Sequence, residues 1–170
     1  MADAPDDALP PALSALIAVA RSRSPLGVDH PAETWARPAF ARGASMYRNR
    51  NDRLGINFEV DRLSFPHLQT MDPRVVRIAP GATNERHRHA HESLFVVLAG
   101  RGEVEVGDQR LPVGVGDVAF VPRWIFHQTR NTDPAAELVV LAITDFGFTS
   151  AVLGDYDQRT RLAQGGGDAR

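Results

Sequence analysis

Four of the six histidines in this 170-residue sequence fall into two short stretches whose spacing would suit a metal ion. Residues two apart in an extended strand point to the same side, so His87 and His89 should converge while Arg86 and Arg88 face away. A third ligand must come from another segment, and His127 is the candidate. Imidazole nitrogen binds iron, zinc, nickel or copper, and three such ligands leave positions open for water, substrate or dioxygen.

The sequence leaves open the roles of two further residues near these histidines. His91 shares the parity of His89, and we interpret it either as a catalytic, substrate-facing group or as an ordinary surface residue. Glu92 has the opposite parity, so we predict that it points away from His89 and lies at the surface or just outside the site. His30 and His67 stand alone, and we interpret them as solvent-facing or hydrogen-bonded residues.

Composition limits the class of protein. A length of 170 residues fits one domain, and 43% apolar with 24% charged residues are ordinary values for a folded chain. The absence of cysteine excludes disulfides, thiolate nucleophiles and iron–sulfur clusters, so histidine and carboxylate remain as metal ligands. A net charge of −2 provides no electrostatic drive toward nucleic acid or an anionic membrane, so we expect a small-molecule substrate.

The N-terminal residues do not resemble a secretory signal. The apolar stretch 13–20 is too short to span a bilayer, and acidic residues precede it where a signal peptide would carry Lys or Arg. We therefore expect a cytoplasmic protein.

Short strands are predicted to position the histidines. From residue 55 onward apolar and polar residues alternate, and clusters of Gly, Pro, Asn or Asp separate the segments. The predicted strands cover 56–60, 75–78, 94–98, 104–106, 111–115, 118–121, 125–129 and 138–144. Because no long helix interrupts them, we expect an all-β fold, an antiparallel sandwich or barrel.

The chain divides into three predicted parts. Residues 1–54 form an N-terminal extension with one helix that begins at Pro10-Pro11, residues 55–150 form the barrel, and residues 151–170 form a tail. The stretch from about 27 to 51 has no clear period, and we interpret it as irregular.

Glycines and aromatic residues near the histidines allow ordinary interpretations. Two pairs, Gly100 with Gly102 and Gly114 with Gly116, are interpreted as turn glycines because no strand-to-helix context supports a phosphate-binding loop. Four aromatic residues either line a pocket or belong to the core; they are Phe95, Phe120, Trp124 and Phe126.

The histidines lie within two longer patterns. The first runs Gly81-x5-His87-x-His89-x3-Ser93-x6-Gly100 and the second Gly116-x5-Pro122-x4-His127-x3-Asn131, with 15 residues between them. Over residues 73–145 these patterns resemble the two motifs of the cupin superfamily, although Ser93 replaces the usual glutamate ligand and Trp124 a usual glycine. The His-x-His-x3-Ser and Pro-x-Trp-x2-His forms are similar to those of cupins of the gentisate dioxygenase type.

The resemblance implies a fold and a chemistry. It implies a cupin-type antiparallel double-stranded β-helix, a jelly-roll barrel, in which His87, His89 and His127 hold Fe(II). The implied activity is that of a non-heme Fe(II) dioxygenase acting on a small, chelating, anionic substrate. Two alternatives stay open: a cupin that uses Zn, Ni or Mn for isomerisation, lyase or rearrangement chemistry, and a cupin that senses a small molecule without turnover. Single-domain cupins commonly pair through their sheets, so a homodimer is also expected.

Overall fold

The computed structural model describes residues 44–65, 68 and 70–153, together with residues 11, 13, 14, 17 and 18. The N-terminal helix predicted to begin at Pro10-Pro11 lies mostly outside this range and stays a prediction, although the isolated N-terminal positions are helical. His30, His67 and the tail from residue 154 also lie outside the described residues.

Two antiparallel sheets make up the described part of the chain. One has six strands in the order β1-β2-β3-β9-β4-β7, and the other has three in the order β6-β5-β8. The strands are β1 Ala44–Asn51, β2 Ile56–Arg62, β3 Asp72–Ile78, β4 Ser93–Ala99, β5 Arg101–Val106, β6 Gln109–Gly114, β7 Val118–Val121, β8 His127–Asn131 and β9 Leu138–Thr144. The predicted all-β antiparallel fold is confirmed.

Alternating side chains explain why these segments form strands with one buried face. In β2, Ile56, Phe58 and Val60 are buried and the residues between them are partly exposed. The buried residues of β2, β4 and β9 join those of β5, β6 and β7 in one core cluster. That core holds the two sheets together.

Strand β1 corrects the interpretation of the stretch from about 27 to 51 as irregular, at its C-terminal end. Residues 44–51, interpreted as irregular, pair along β2, with Tyr47 opposite Val60 and Asn49 opposite Phe58. The strand was missed because arginine and asparagine dominate it, and asparagine is depleted in strands. Partial burial at Tyr47 and Asn49 alternates with exposed Arg48 and Arg50, but the inward residues are not the apolar ones that a strand pattern requires.

A short helix ends the described chain. Helix α1, Phe146–Leu153, begins within the predicted barrel and crosses the boundary that was set at residue 150. Its predecessor Asp145 binds Arg123 from the turn before β8, at 2.6 Å, which fixes the start of α1 beside the histidine segment. Within the described ranges, no helix combines the length and apolar character needed to cross a membrane.

Candidate metal centre

Three histidine side chains meet between the two sheets. Ligand atoms of His87, His89 and His127 all lie within 4.8 Å of one another. His127 is fully buried, His89 is 3% exposed and His87 is partly buried. The structure therefore brings together the three residues that the motif spacing singled out.

Main-chain carbonyl groups fix the orientation of each ring. In all three imidazoles, Nδ1 is hydrogen-bonded to a carbonyl oxygen. Since a carbonyl oxygen only accepts hydrogen bonds, each Nδ1 carries the proton. The pairs are His87 with the oxygen of Glu85 at 2.8 Å, His89 with that of His91 at 2.9 Å, and His127 with that of Ile125 at 3.0 Å. Each Nε2 is then left with its lone pair, as a metal ligand requires.

Backbone hydrogen bonds tie the segments that carry the rings. His87 and His127 exchange both N–H···O bonds, at 3.1 and 2.9 Å, as an isolated antiparallel bridge. The Trp124 N–H donates to the oxygen of His89 at 2.8 Å. Trp124 has φ of 61°, in the left-handed region that glycine adopts most easily, which accounts for glycine being usual at this position.

The predicted strand through the first two histidines is wrong in detail. His87 forms only the isolated bridge and His89 lies outside any strand, because β4 begins at Ser93. The predicted alternation of side-chain directions is correct over residues 86–89. The guanidinium groups of Arg86 and Arg88 both lie over the ring of Phe126, at 4.8 and 4.7 Å, and neither lines the cavity beside the histidines.

His91 lies inside the protein. It is 2% exposed, it stacks on His89 with ring centroids 3.4 Å apart, and it meets the edge of Phe146. The surface interpretation of His91 is therefore wrong, and its catalytic role stays a prediction. Glu92 is exposed and faces Arg123 at 3.6 Å, which agrees with the prediction that it points away from the site.

A cavity of about 70 Å³ opens beside the three histidines. Apolar side chains from β1, β2, β3 and β4 form much of its wall. Phe95 is the one member of the four aromatic candidates that lines it; Phe120 and Trp124 are about half exposed, and Phe126 lies under the two arginines. The apolar lining residues include Met46, Phe58, Val60, Val76, Phe95 and Ala142.

Sequence reasoning missed several polar residues of this cavity, among them Glu85, Arg74 and Tyr47. Glu85 is 7% exposed, and its Oε1 accepts hydrogen bonds from the Tyr47 hydroxyl and the Asn49 amide. Arg74 is 8% exposed and also lines the cavity. Tyr47 lies in β1, which was not predicted as a strand, so its inward orientation was not predicted either. No signal in the sequence separated Glu85 and Arg74 from ordinary surface charges.

The donor set fits a divalent transition metal. Three neutral imidazoles on one side of a cavity are ligands that iron, zinc, nickel and copper accept, and they leave further coordination positions facing the cavity. No carboxylate belongs to this ligand cluster among the described residues. Ser93, at the position of the usual glutamate, is buried and lines the cavity instead.

The family assignment rests on residues 74–144, which match the model of the cupin domain. These residues contain all three histidines and the two segments that position them. Residues 74–144 are a cupin domain. In this domain the first motif covers the segment before β4 and β4 itself, and the second runs through β7 and β8.

Known cupins resemble the chain over part of its length. The sequence is 31% identical over 102 residues to 5-aminosalicylate 1,2-dioxygenase of Comamonas sp, covering 60% of this chain and 26% of that enzyme. It is 38% identical over 63 residues to 1-methylthio-D-xylulose 5-phosphate methylsulfurylase of Rhodospirillum rubrum, covering 36% of this chain and 39% of that enzyme. The chain thus spans well under half the length of either relative.

A solved structure confirms the fold. The crystal structure of a cupin-2 domain from Rhodospirillum rubrum superimposes with a TM-score of 0.53 at 23% identity, over 58% of this chain and 67% of that one. The cupin-type jelly-roll barrel predicted from the two motifs is therefore correct.

Proposed function

We propose that this cupin is a non-heme Fe(II) dioxygenase that acts on a small, chelating, anionic substrate. One observation carries the proposal: three imidazoles oriented by main-chain carbonyls converge on a cavity, with no carboxylate in the ligand cluster of the described residues. Neutral ligands leave a divalent ion its full charge, which favours an anionic chelating substrate. The similarity to a 1,2-dioxygenase supports the same reaction class.

The protein's own groups have separate tasks in this reaction. His87, His89 and His127 would hold the iron through Nε2, and bound iron(II) would supply the electron transfer that dioxygen activation needs. Phe95 and Phe58 line the cavity with apolar surface that excludes water. His91, against the ring of His89, would hold or release a proton beside the substrate.

Oxygen uptake tests the proposed reaction. Protein purified without oxygen should contain iron, and a panel of catechols, hydroxybenzoates, diketones and amino-acid derivatives should include a substrate that triggers stoichiometric oxygen consumption. Metal analysis and an oxygen electrode measure both quantities, with metal-free protein as the control. Tightly held zinc together with no uptake on any substrate would refute the proposal.

Non-redox chemistry is the second candidate. The similarity to a methylsulfurylase favours it, since three histidines also suit zinc, nickel or manganese. Under this candidate the same site would polarise a substrate oxygen for an isomerisation or lyase step. Turnover of a substrate without oxygen would support it.

We also propose that the protein is a homodimer that pairs along β7. This strand ends the six-stranded sheet, and β4 and β7 together present an edge patch of Leu94, Val118 and Phe120, which are 44%, 60% and 50% exposed. Leu94 lies opposite Phe120 in register, so the patch is continuous. An exposed apolar sheet edge favours pairing with a second copy about a two-fold axis.

Replacing a residue of the edge patch should separate the protomers. We expect light scattering to show a dimer at micromolar concentration and Phe120→Arg to shift it to monomer, because a buried unpaired charge opposes association. Leu54→Arg is the control, since Leu54 is similarly exposed in the turn between β1 and β2, at the other end of the sheet. A monomeric wild type, or an unchanged dimer in Phe120→Arg, would contradict the edge patch as interface.

A further inference from the structure

Arg74 places a buried positive charge in the cavity wall. It lies in β3 and is 8% exposed, and its neighbours on the same face of the sheet are Ala142 of β9 and then Phe95 of β4. All three residues line the cavity. Ala142, which lies between the other two, contributes only a methyl group to this wall.

The hydrogen bonds of Arg74 leave part of its guanidinium available. Its bonds to described residues all go to Asp72 Oδ2, from Nε at 3.0 Å and from Nη2 at 2.6 Å. Its carbon Cζ lies 4.9 Å from the ring centroid of Phe146, and this cation–π contact restrains the orientation of the guanidinium. A guanidinium carries five N–H donors, so the two on Nη1 remain for a ligand.

Asp72 does not pair with Arg74 alone. Asp72 also binds Arg62, through Nε at 3.1 Å, so one carboxylate is shared by two guanidinium groups. Arginine stays protonated inside proteins, so Asp72 divides its single negative charge between two guanidinium groups and neutralises Arg74 only in part. Glu85 also lines the cavity, but its Oε1 already accepts hydrogen bonds from Tyr47 and Asn49. Because Asp72 is shared, a ligand anion in the cavity would gain a charge-assisted hydrogen bond from Arg74.

A second polar group on the same wall points to the same kind of ligand. Ser93 is 2% exposed and lines the cavity, and its Oγ has no hydrogen-bond partner among the described residues. It lies opposite Thr144 in register, on the neighbouring strand. A buried hydroxyl without a hydrogen bond is costly, so a polar ligand atom would supply the partner that Ser93 Oγ lacks.

We propose that Arg74 is the anion-binding residue of the cavity and that the ligand is a small organic acid whose carboxylate pairs with Arg74. A second donor atom of the same acid reaches toward the three histidines. This assignment rests on the proposed function, which makes the cavity the substrate site, and it adds the chemical class of the substrate. It makes Arg74 the residue that selects carboxylates over neutral analogues of the same shape.

Two matched probes test this selection by binding alone. Salicylate and salicylamide share a ring and a phenol oxygen, and only the first carries a carboxylate. Titration calorimetry on the full chain, loaded with Zn(II) and checked for metal content, should give a lower Kd for salicylate. We expect Arg74→Gln to raise the Kd of salicylate about tenfold or more, the loss typical of one charge-assisted hydrogen-bonded pair, and to change that of salicylamide little.

Arg62→Gln is the matched control for this experiment. It also removes a guanidinium from Asp72, but Arg62 is 44% exposed at the side chain and does not line the cavity. We expect it to raise the Kd of salicylate far less than Arg74→Gln does, and Arg74→Lys, which keeps the charge, to retain part of the preference. Thermal unfolding of each variant shows whether it is folded, and Arg74→Lys serves if Arg74→Gln is not.

Three outcomes would overturn the assignment of Arg74. They are a wild-type protein that does not prefer salicylate, a Kd that rises equally for both probes in Arg74→Gln, and an equal loss in Arg62→Gln. Oxygen consumption is not part of the readout. A protein that prefers salicylate through Arg74 but takes up no oxygen would refute the proposed reaction and leave this assignment intact.

Discussion

Replacing His87, His89 or His127 with alanine is expected to remove most of the bound metal while the β-sheet remains folded. Each ring supplies one Nε2, and with two ligands left a divalent ion is held too weakly to survive purification. The fold should persist, because the backbone bridge between His87 and His127 involves main-chain atoms that alanine retains. Metal analysis should give about one ion per wild-type chain and a small fraction of that in each variant.

Two neighbouring residues provide the controls. In His91→Ala the carbonyl oxygen that accepts from His89 Nδ1 is still present, so the ring keeps its orientation and the metal should stay. Glu92→Ala removes an exposed carboxylate that faces Arg123, and it should also retain metal. Full metal occupancy in His127→Ala, or a loss in Glu92→Ala as large as in the histidine variants, would contradict this coordination sphere. Circular dichroism verifies the sheet in every variant.

Gly102→Ala should destabilise the barrel by about 3 kcal/mol, at the upper end of the usual cost of overpacking. A Cβ at Gly102 would press on the carbonyl oxygen of Arg130 and lie 2.6 Å from Cδ2 of Leu138. The first obstacle is backbone of β8, which pairs with β5 and carries His127, so neither strand can shift without breaking that ladder. Urea unfolding followed by circular dichroism measures the change.

Gly114→Ala is the matched control in the same hairpin. Gly114 pairs with Arg101, next to Gly102, and its Cβ would meet only Asp117 Oδ2 at 3.9 Å. We expect this variant to unfold within about 1 kcal/mol of the wild type, since a glycine-to-alanine change without strain has a small effect. Equal stability of the two variants would show that β5 and β8 are less tightly packed than the structure indicates.

The same glycine shows where sequence reasoning stops. Gly102 was interpreted as a turn residue, but it lies within β5, and its lack of a side chain lets β8 pass close by. A pattern along one strand contains no information about which backbone lies opposite. By contrast, the alternation in β2 and the spacing of the two motifs depend only on local geometry, and they predicted the sheet and the meeting of three histidines.

Charged residues inside the cavity were beyond prediction for a related reason. Glu85 and Arg74 look like surface charges, because charged side chains are mostly exposed. Their burial depends on partners that are distant in sequence or hidden in an unrecognised strand, such as Tyr47 and Asn49 of β1. Asp72 is close to Arg74 in sequence, but whether the pair faces solvent or cavity depends on strands β9 and β4 beside it.

The cavity wall has two origins along the chain. The three histidines come from residues 74–144, whereas Met46, Tyr47, Phe58 and Val60 come from β1 and β2, before the cupin domain begins. Mutations in β1 and β2 can therefore change the shape of the cavity without altering the metal ligands. Metal chemistry and substrate choice can then diverge independently during evolution, and an exchange of residues 44–62 between cupins becomes a direct route to new substrate preferences.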